Sequence, residues 1–183
     1  MLIRWNIFTT RFGTGAFACT ESGVCSVMLP QENWVRSGQP VLPGIHSSSE
    51  FVLLLDSSLE GRNYFESFFQ GETEQQTDSD QPITPPIVDW DFLKRHRTPF
   101  QQKVLQACYE IPKGRVETYG SLATRCGVPG AARAAGSVMA TNPVPLLIPC
   151  HRVVRQGGEV GQYGGGAGMK TWLLQCESAP LTA

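Results

Sequence analysis

Polar and apolar positions set two different rhythms along this chain. Ile3-Arg4-Trp5-Asn6-Ile7-Phe8 is rich in β-forming residues, and residues 2–29 read as strands separated by turns at Gly13 to Gly15 and Glu21-Ser22-Gly23. That predicts an antiparallel hairpin or meander. Residues 30–48 are rich in Pro, Gly and Ser and read as loop. From Ser49 to Gln70 the spacing becomes helical, through Phe51, Leu54, Leu55, Leu59, Phe65, Phe68 and Phe69, and Gly71 is placed to end the helix. The polar, acidic, proline-terminated stretch Glu72 to Pro86 then reads as a connection. Two domains are expected, 1–86 and 87–183.

The second half is helical in period. Thr98-Pro99-Phe100-Gln101 is a capping box with proline at the first helical position. Phe100, Val104, Leu105, Cys108 and Ile111 fall on one face until Pro112 and Gly114 end the helix. A short helix is predicted from Tyr119 to Cys126, then a turn at Gly127-Val128-Pro129-Gly130. A second helix follows from Ala131 to Thr141 and ends before Asn142-Pro143. Two short helices about a tight glycine-containing turn suggest a helix-turn-helix. The second of them, Ala131-Ala132-Arg133-Ala134-Ala135-Gly136-Ser137, carries small side chains around one arginine, so its backbone can approach another surface closely. A last helix is predicted from Met169 to Glu177. A carboxylate there opposes the helix dipole at about 0.3–1 kcal/mol, which leaves room for a functional role.

Charge sharpens this division. The formal net charge of -1 conceals 4 Lys+Arg against 12 Asp+Glu in residues 1–93, a net of −8, and 11 against 4 in residues 94–183, a net of +7. A basic second half suits a polyanionic partner. A hydrophobic content of 41% supplies a core. The first residues lack the basic start and apolar run of a signal peptide, and runs such as Phe51 to Leu55 are too short to span a bilayer. A soluble, intracellular protein without membrane attachment is expected. Six cysteines without a secretion signal read as free thiols. Cys19 and Cys25, with His46 or His96, match no zinc-ligand spacing, so neither metal nor cofactor is expected.

The chemistry is concentrated in Asn142-Pro143-Val144-Pro145-Leu146-Leu147-Ile148-Pro149-Cys150-His151-Arg152-Val153-Val154. Three prolines are expected to hold an apolar segment extended and to leave Cys150 at a sharp bend. A thiol is a strong nucleophile only as thiolate, so an adjacent base would activate it, and His151 is the candidate. Neighbours in an extended strand face opposite ways, so such a relay needs a bend or a bridging water. Downstream, Gly161-Gln162-Tyr163-Gly164-Gly165-Gly166 lacks the Lys-Ser/Thr ending of a phosphate-binding loop and suits close approach to a flat ligand.

The run Pro149-Cys150-His151-Arg152-Val153 resembles the active-site motif of the O6-alkylguanine-DNA alkyltransferases. The likeness extends from about Thr98 to Glu177, through Thr-Pro-Phe-Gln, Ile-Pro-x-Gly, Thr-Tyr-Gly, Ala-Arg-Ala, Asn-Pro and Trp172-Leu173-Leu174. The resemblance implies an α/β (α+β) fold. Its first domain would be an antiparallel-sheet, ribonuclease-H-like domain, and its second a helical domain with a winged-helix-like helix-turn-helix. It implies a protein that flips O6-alkylguanine, and also O4-alkylthymine, from double-stranded DNA and takes the alkyl group irreversibly, once, onto Cys150. His151 would deprotonate the thiol through a water, Glu177 would orient His151, Asn142 would brace the site and Tyr119 would help protonate the departing guanine. Arg133 would fill the gap left by the base. Thr118, Tyr119, Ala131, Ala132, Ala134, Gly136 and Ser137 would lie against the DNA. Val153, Tyr163, Gly164, Gly165, Met139 and Arg152 would form the base pocket. A monomer is implied, cytoplasmic, or nuclear in a eukaryotic host.

This chain departs from the family pattern at Ala140, where many members carry Arg, at Gly130, where some carry Lys, and at Gly164, which replaces a serine. Fewer phosphate contacts are the expected consequence. Cys150 argues against a non-catalytic alkyltransferase-like protein, in which that cysteine is replaced. The poorly polar Ala131 to Ala135 segment argues against a helix-turn-helix regulator reading the major groove. A cysteine hydrolase would use similar nucleophile chemistry, and transfer of label from alkylated DNA separates the three.

Overall fold

The computed structural model describes residues 3–31, 35–36, 39–40, 59–70 and 85–179, with the side chains at 35–36, 39–40, 59–60 and 70 left undescribed. The chain forms two compact units, Met1–Asp89 and Trp90–Ala183.

The first unit is built on the alternation at the chain start. Strands β1 (Arg4–Thr10), β2 (Gly13–Thr20) and β3 (Gly23–Gln31) form an antiparallel meander in the order β1-β2-β3. The first turn falls at Arg11-Phe12, two residues earlier than expected, because Gly13 to Gly15 already pair with β1. Gly15 is needed there: a Cβ would run into the ring of Phe8. A two-residue ladder, β4 (Val35–Arg36) with β5 (Gln39–Pro40), lies inside the stretch expected to be loop. The predicted helix over Ser49 to Gln70 is present as α1 (Leu59–Gln70), and its first part lies outside the described residues. Phe65 and Phe69 of α1 meet Phe8 and Phe17 of the sheet, with Phe65 centred 5.1 Å from Phe8 and 4.8 Å from Phe17. These four rings are buried and form the core of the unit. Backbone bonds from Val24 to Ile87 and from Asp89 to Val24 cover part of the outer edge of β3.

The second unit begins with α2 (Trp90–Arg95), which the sequence pattern does not announce, and α3 (Pro99–Tyr109). The capping box forms as read: Thr98 Oγ1 accepts from Gln101 N at 3.3 Å, and Gln101 Oε1 accepts from Thr98 N at 2.9 Å. Val104, Leu105 and Cys108 bury the α3 face. Helix α4 (Tyr119–Arg125), capped by the Thr118 hydroxyl on Ser121 N, and α5 (Ala132–Ala140) follow, joined by a turn with Gly127 and Gly130 at positive φ. Helix α4 starts at its predicted residue and ends one residue early, and α5 lies one residue inside its predicted bounds at each end. A parallel ladder joins β6 (Glu117–Thr118) to β7 (Val153–Val154). It sets the start of α4 beside the exit of the Cys150 turn. Helix α6 (Gly166–Cys176) begins three residues before its predicted start, and Glu177 is its C-cap. No helix among the described residues is long and apolar enough to cross a membrane.

Candidate active site

The segment leading to Cys150 is not extended. Pro145 and Ile148 bridge across a turn in which Leu146 sits at φ 75, and Ile148 N donates to Val144 O at 2.9 Å. Asn142 holds this turn from inside: its Nδ2 donates to Ile148 O at 2.8 Å and its Oδ1 accepts from Val144 N at 3.1 Å. Cys150, His151 and Arg152 then form one turn of 3-10 helix. Prolines at 143, 145 and 149 restrict φ without dictating an extended path, and the Asn142 bonds favour the turn. The result corrects the expected strand geometry and supplies the bend that a Cys-His relay needs.

Behind the cysteine lies a buried ionic cluster. Glu177 Oε1 stands 3.0 Å from His151 Nε2, and the same carboxylate accepts from Arg152 Nε at 2.8 Å and Nη2 at 2.7 Å. Arg152 Nη1 donates to Ile111 O at 2.6 Å. Burial alone would raise the Glu177 pKa; hydrogen bonds from His151 and Arg152 outweigh it and bring the carboxyl down to about 2. Burial lowers the His151 pKa, opposed in part by Glu177, so the imidazole rests neutral. Facing an ionised carboxylate, Nε2 carries the proton, and Nδ1 is left as the basic nitrogen. Arg152 was expected in the base pocket; its side chain is instead committed to Glu177 and Ile111.

Burial raises the Cys150 pKa, while the Asn142 side chain, the Lys170 charge and nearby backbone N–H groups lower it. Lys170 has no solvent exposure, donates to Val153 O at 2.6 Å and lies 5.7 Å from the Tyr119 ring centroid. Burial brings it down to about 8. Sequence reasoning passed over Lys170, because a lysine on a helix reads as surface.

Cys150 opens on the other side into a cavity of about 810 Å³. Tyr119 and Gly120 of α4 contribute to its lining. From α5 come Ala132, Arg133, Gly136 and Ser137 of the small-residue stretch read from the sequence, Met139, which was expected in the base pocket, and Ala140. Tyr163 and Gly164 of the glycine-rich loop complete the expected lining, and the Tyr163 ring meets His151 edge-on at 6.4 Å. Arg133 is exposed and makes no side-chain hydrogen bond or ion pair among the described residues. Arg155, Gln156 and Gln162 also line the cavity and were not singled out from sequence. Val153 and Gly165 do not line it: Val153 is buried and gives its carbonyl to Lys170, and Gly165 is the N-cap of α6. Thr118 caps α4, Ala131 precedes α5 and Ala134 lies exposed on it, none of them at the cavity wall. Among the described residues no cluster of three or more metal-type ligands occurs, and His46 lies outside them.

Residues 99–179 match the family model described as the DNA-binding domain of 6-O-methylguanine DNA methyltransferase. A methylated-DNA–protein-cysteine methyltransferase of Salmonella typhimurium is 49% identical over 80 residues, covering 44% of this chain and 47% of that protein. One of Haemophilus influenzae is 39% identical over 116 residues, covering 63% and 58%. The matched region thus spans about half the length of these curated relatives. Among solved structures, Mycobacterium tuberculosis OGT in complex with DNA aligns with TM-score 0.69 at 25% identity, over 97% of this chain and 95% of that one. The O6-methylguanine-DNA methyltransferase of Pyrococcus kodakaraensis shares the fold, with TM-score 0.62 at 22% identity over 97% of this chain and 100% of that one.

Proposed function

We propose that this chain, whose residues 99–179 match the DNA-binding domain of 6-O-methylguanine DNA methyltransferase, is an O6-alkylguanine-DNA alkyltransferase that repairs alkylated DNA by direct reversal. The observation that carries this reading is the position of Cys150. It is a buried thiol at the base of a cavity walled by a small-residue helix bearing Arg133, with a neutral imidazole and an ionised carboxylate behind it.

The reaction begins with an extruded O6-alkylguanine, or O4-alkylthymine, in the cavity. His151 Nδ1 takes the Cys150 proton through a bridging water, and Glu177 stabilises the imidazolium that forms. The sulfur attacks the alkyl carbon as the carbon–O6 bond breaks. The departing guanine takes a proton from the Tyr119 hydroxyl, which regains one from solvent, and His151 releases its own. Burial raises the Tyr119 pKa, so Tyr119 rests protonated, and it gives up its proton only to the negative charge that develops on the departing base. Gly164 offers backbone close to the base, and Tyr163 an aromatic wall. The thioether has no good leaving group, so each chain reacts once.

Duplex DNA is the partner, met by a monomer through α5 and the turn before it, with Arg133 standing in for the extruded base. Label transfer tests this directly. Incubation with duplex DNA bearing radiolabelled O6-methylguanine is expected to move label onto protein mole for mole. Release of label as free alcohol, or binding without transfer, would contradict it.

A further inference from the structure

We infer that Arg155 holds a backbone phosphate of the target strand at the mouth of the Cys150 cavity. The inference rests on the alkyl-transfer reading above and adds a recognition contact to it. Arg155 follows β7 and lines the 810 Å³ cavity together with Cys150, and it also borders a neighbouring open cleft of about 570 Å³ with Glu159, Val160 and Gly161. It therefore stands on the ridge between the reactive chamber and the outer surface.

The local backbone fixes it there. Arg155 N donates to Glu159 O at 2.9 Å and Gly158 N to Arg155 O at 3.1 Å, closing a turn in which Gly157 and Gly158 both sit at φ 86. The stem crosses Gly161: a Cβ on that glycine would lie 3.5 Å from Arg155 Cγ, 3.6 Å from its Nε and 3.5 Å from the Tyr119 hydroxyl. Arg155 and Tyr119 thus approach the same glycine, and the arginine side chain reaches solvent.

Arg133 and Arg155 are the charged residues among those described at the cavity wall, and no carboxylate joins them. The partner of Arg155 is Glu159 at 3.7 Å, with the two side chains 57% and 73% exposed. So open a pair is weak and screened by salt. A phosphodiester offers a planar guanidinium the bidentate, charge-assisted contact that Glu159, at 3.7 Å, does not make. An extruded nucleotide must bring its flanking phosphates to the cavity mouth, since they remain joined to it.

Arg155→Ala, Arg155→Lys and wild type are compared for duplex affinity against salt. Alkyl transfer is measured from duplex DNA, from a single-stranded oligonucleotide carrying O6-methylguanine, and from free O6-benzylguanine. Arg155→Ala is expected to bind duplex about tenfold more weakly at low salt, with the slope of log affinity against log salt reduced by about 0.9; Arg155→Lys keeps the slope. Transfer should fall more on both oligonucleotides than on the free base. The single strand separates this contact from base extrusion, which it does not require. An unchanged salt slope, or equal losses on oligonucleotide and free base, would overturn the phosphate contact. Absence of transfer by wild type from any substrate would overturn the functional reading instead.

Discussion

Glu177→Gln tests the ionic cluster behind Cys150. In the wild type one carboxylate answers three donors, at 3.0, 2.8 and 2.7 Å, with its side chain 2% exposed. Lowering its pKa from 4.5 to about 2 corresponds to about 3 kcal/mol of folding stability at neutral pH. Removing one member of a buried ion pair costs about 3–5 kcal/mol, because the remaining charge is left uncompensated. The two routes agree, so Glu177→Gln should lower stability by about 3 kcal/mol, or about 12–24 °C in Tm for a domain of 60–100 residues. The sign with pH follows from the depressed pKa: the contribution is complete above pH 4.5 and is lost as pH falls toward 2. Urea unfolding of both proteins across pH 7 to 2.5 should show the gap narrowing below 4.5. Transfer at pH 7 should fall by about a hundredfold or more, as His151 loses the group that stabilises its cation. A gap under 1 kcal/mol, or one independent of pH, would refute the cluster's energetic importance.

Cys150→Ser should abolish transfer while keeping duplex affinity, measured by fluorescence anisotropy, because the proposed phosphate contact at Arg155 does not involve the thiol. Arg133→Ala should lose far more rate on duplex than on free O6-benzylguanine, with Arg133→Lys recovering part; equal losses would make Arg133 structural. Lys170→Met removes a charge that lowers the Cys150 pKa, so the pH-rate profile should move to higher pH, and an unmoved profile would sink that assignment. Thr98→Ala removes the hydroxyl that accepts from Gln101 N, while the Thr98 backbone N–H keeps its bond to Gln101 Oε1, and should destabilise α3 by about 1 kcal/mol in chemical denaturation, with transfer retained.

What the sequence disclosed were the features encoded by local rules. The α3 capping box, the α4–α5 pair and the small-residue face around Arg133 all follow from neighbours within four residues of each other. Non-local pairing escaped. The two-residue β6–β7 ladder is too short to show a period, yet it brings Tyr119 to Cys150. Lys170 is buried because the Val153 carbonyl and the Tyr119 ring receive it, and neither is a sequence neighbour. Prolines suggested an extended approach to Cys150, whereas the Asn142 bonds organise a turn with Leu146 at positive φ. Glu177 at a helix C-terminus looked mildly misplaced from sequence. Arg152 resolves it, supplying two donors that outweigh the unfavourable dipole.

In the proposed reaction Cys150 itself becomes the alkylated product. Peptide-level mass spectrometry after reaction with excess O6-methylguanine duplex measures this most directly. One methyl group per chain is expected, carried by Cys150, with Cys108, Cys126 and Cys176 unmodified. Methylation of another cysteine, or base restored in DNA beyond one equivalent of protein, would contradict it.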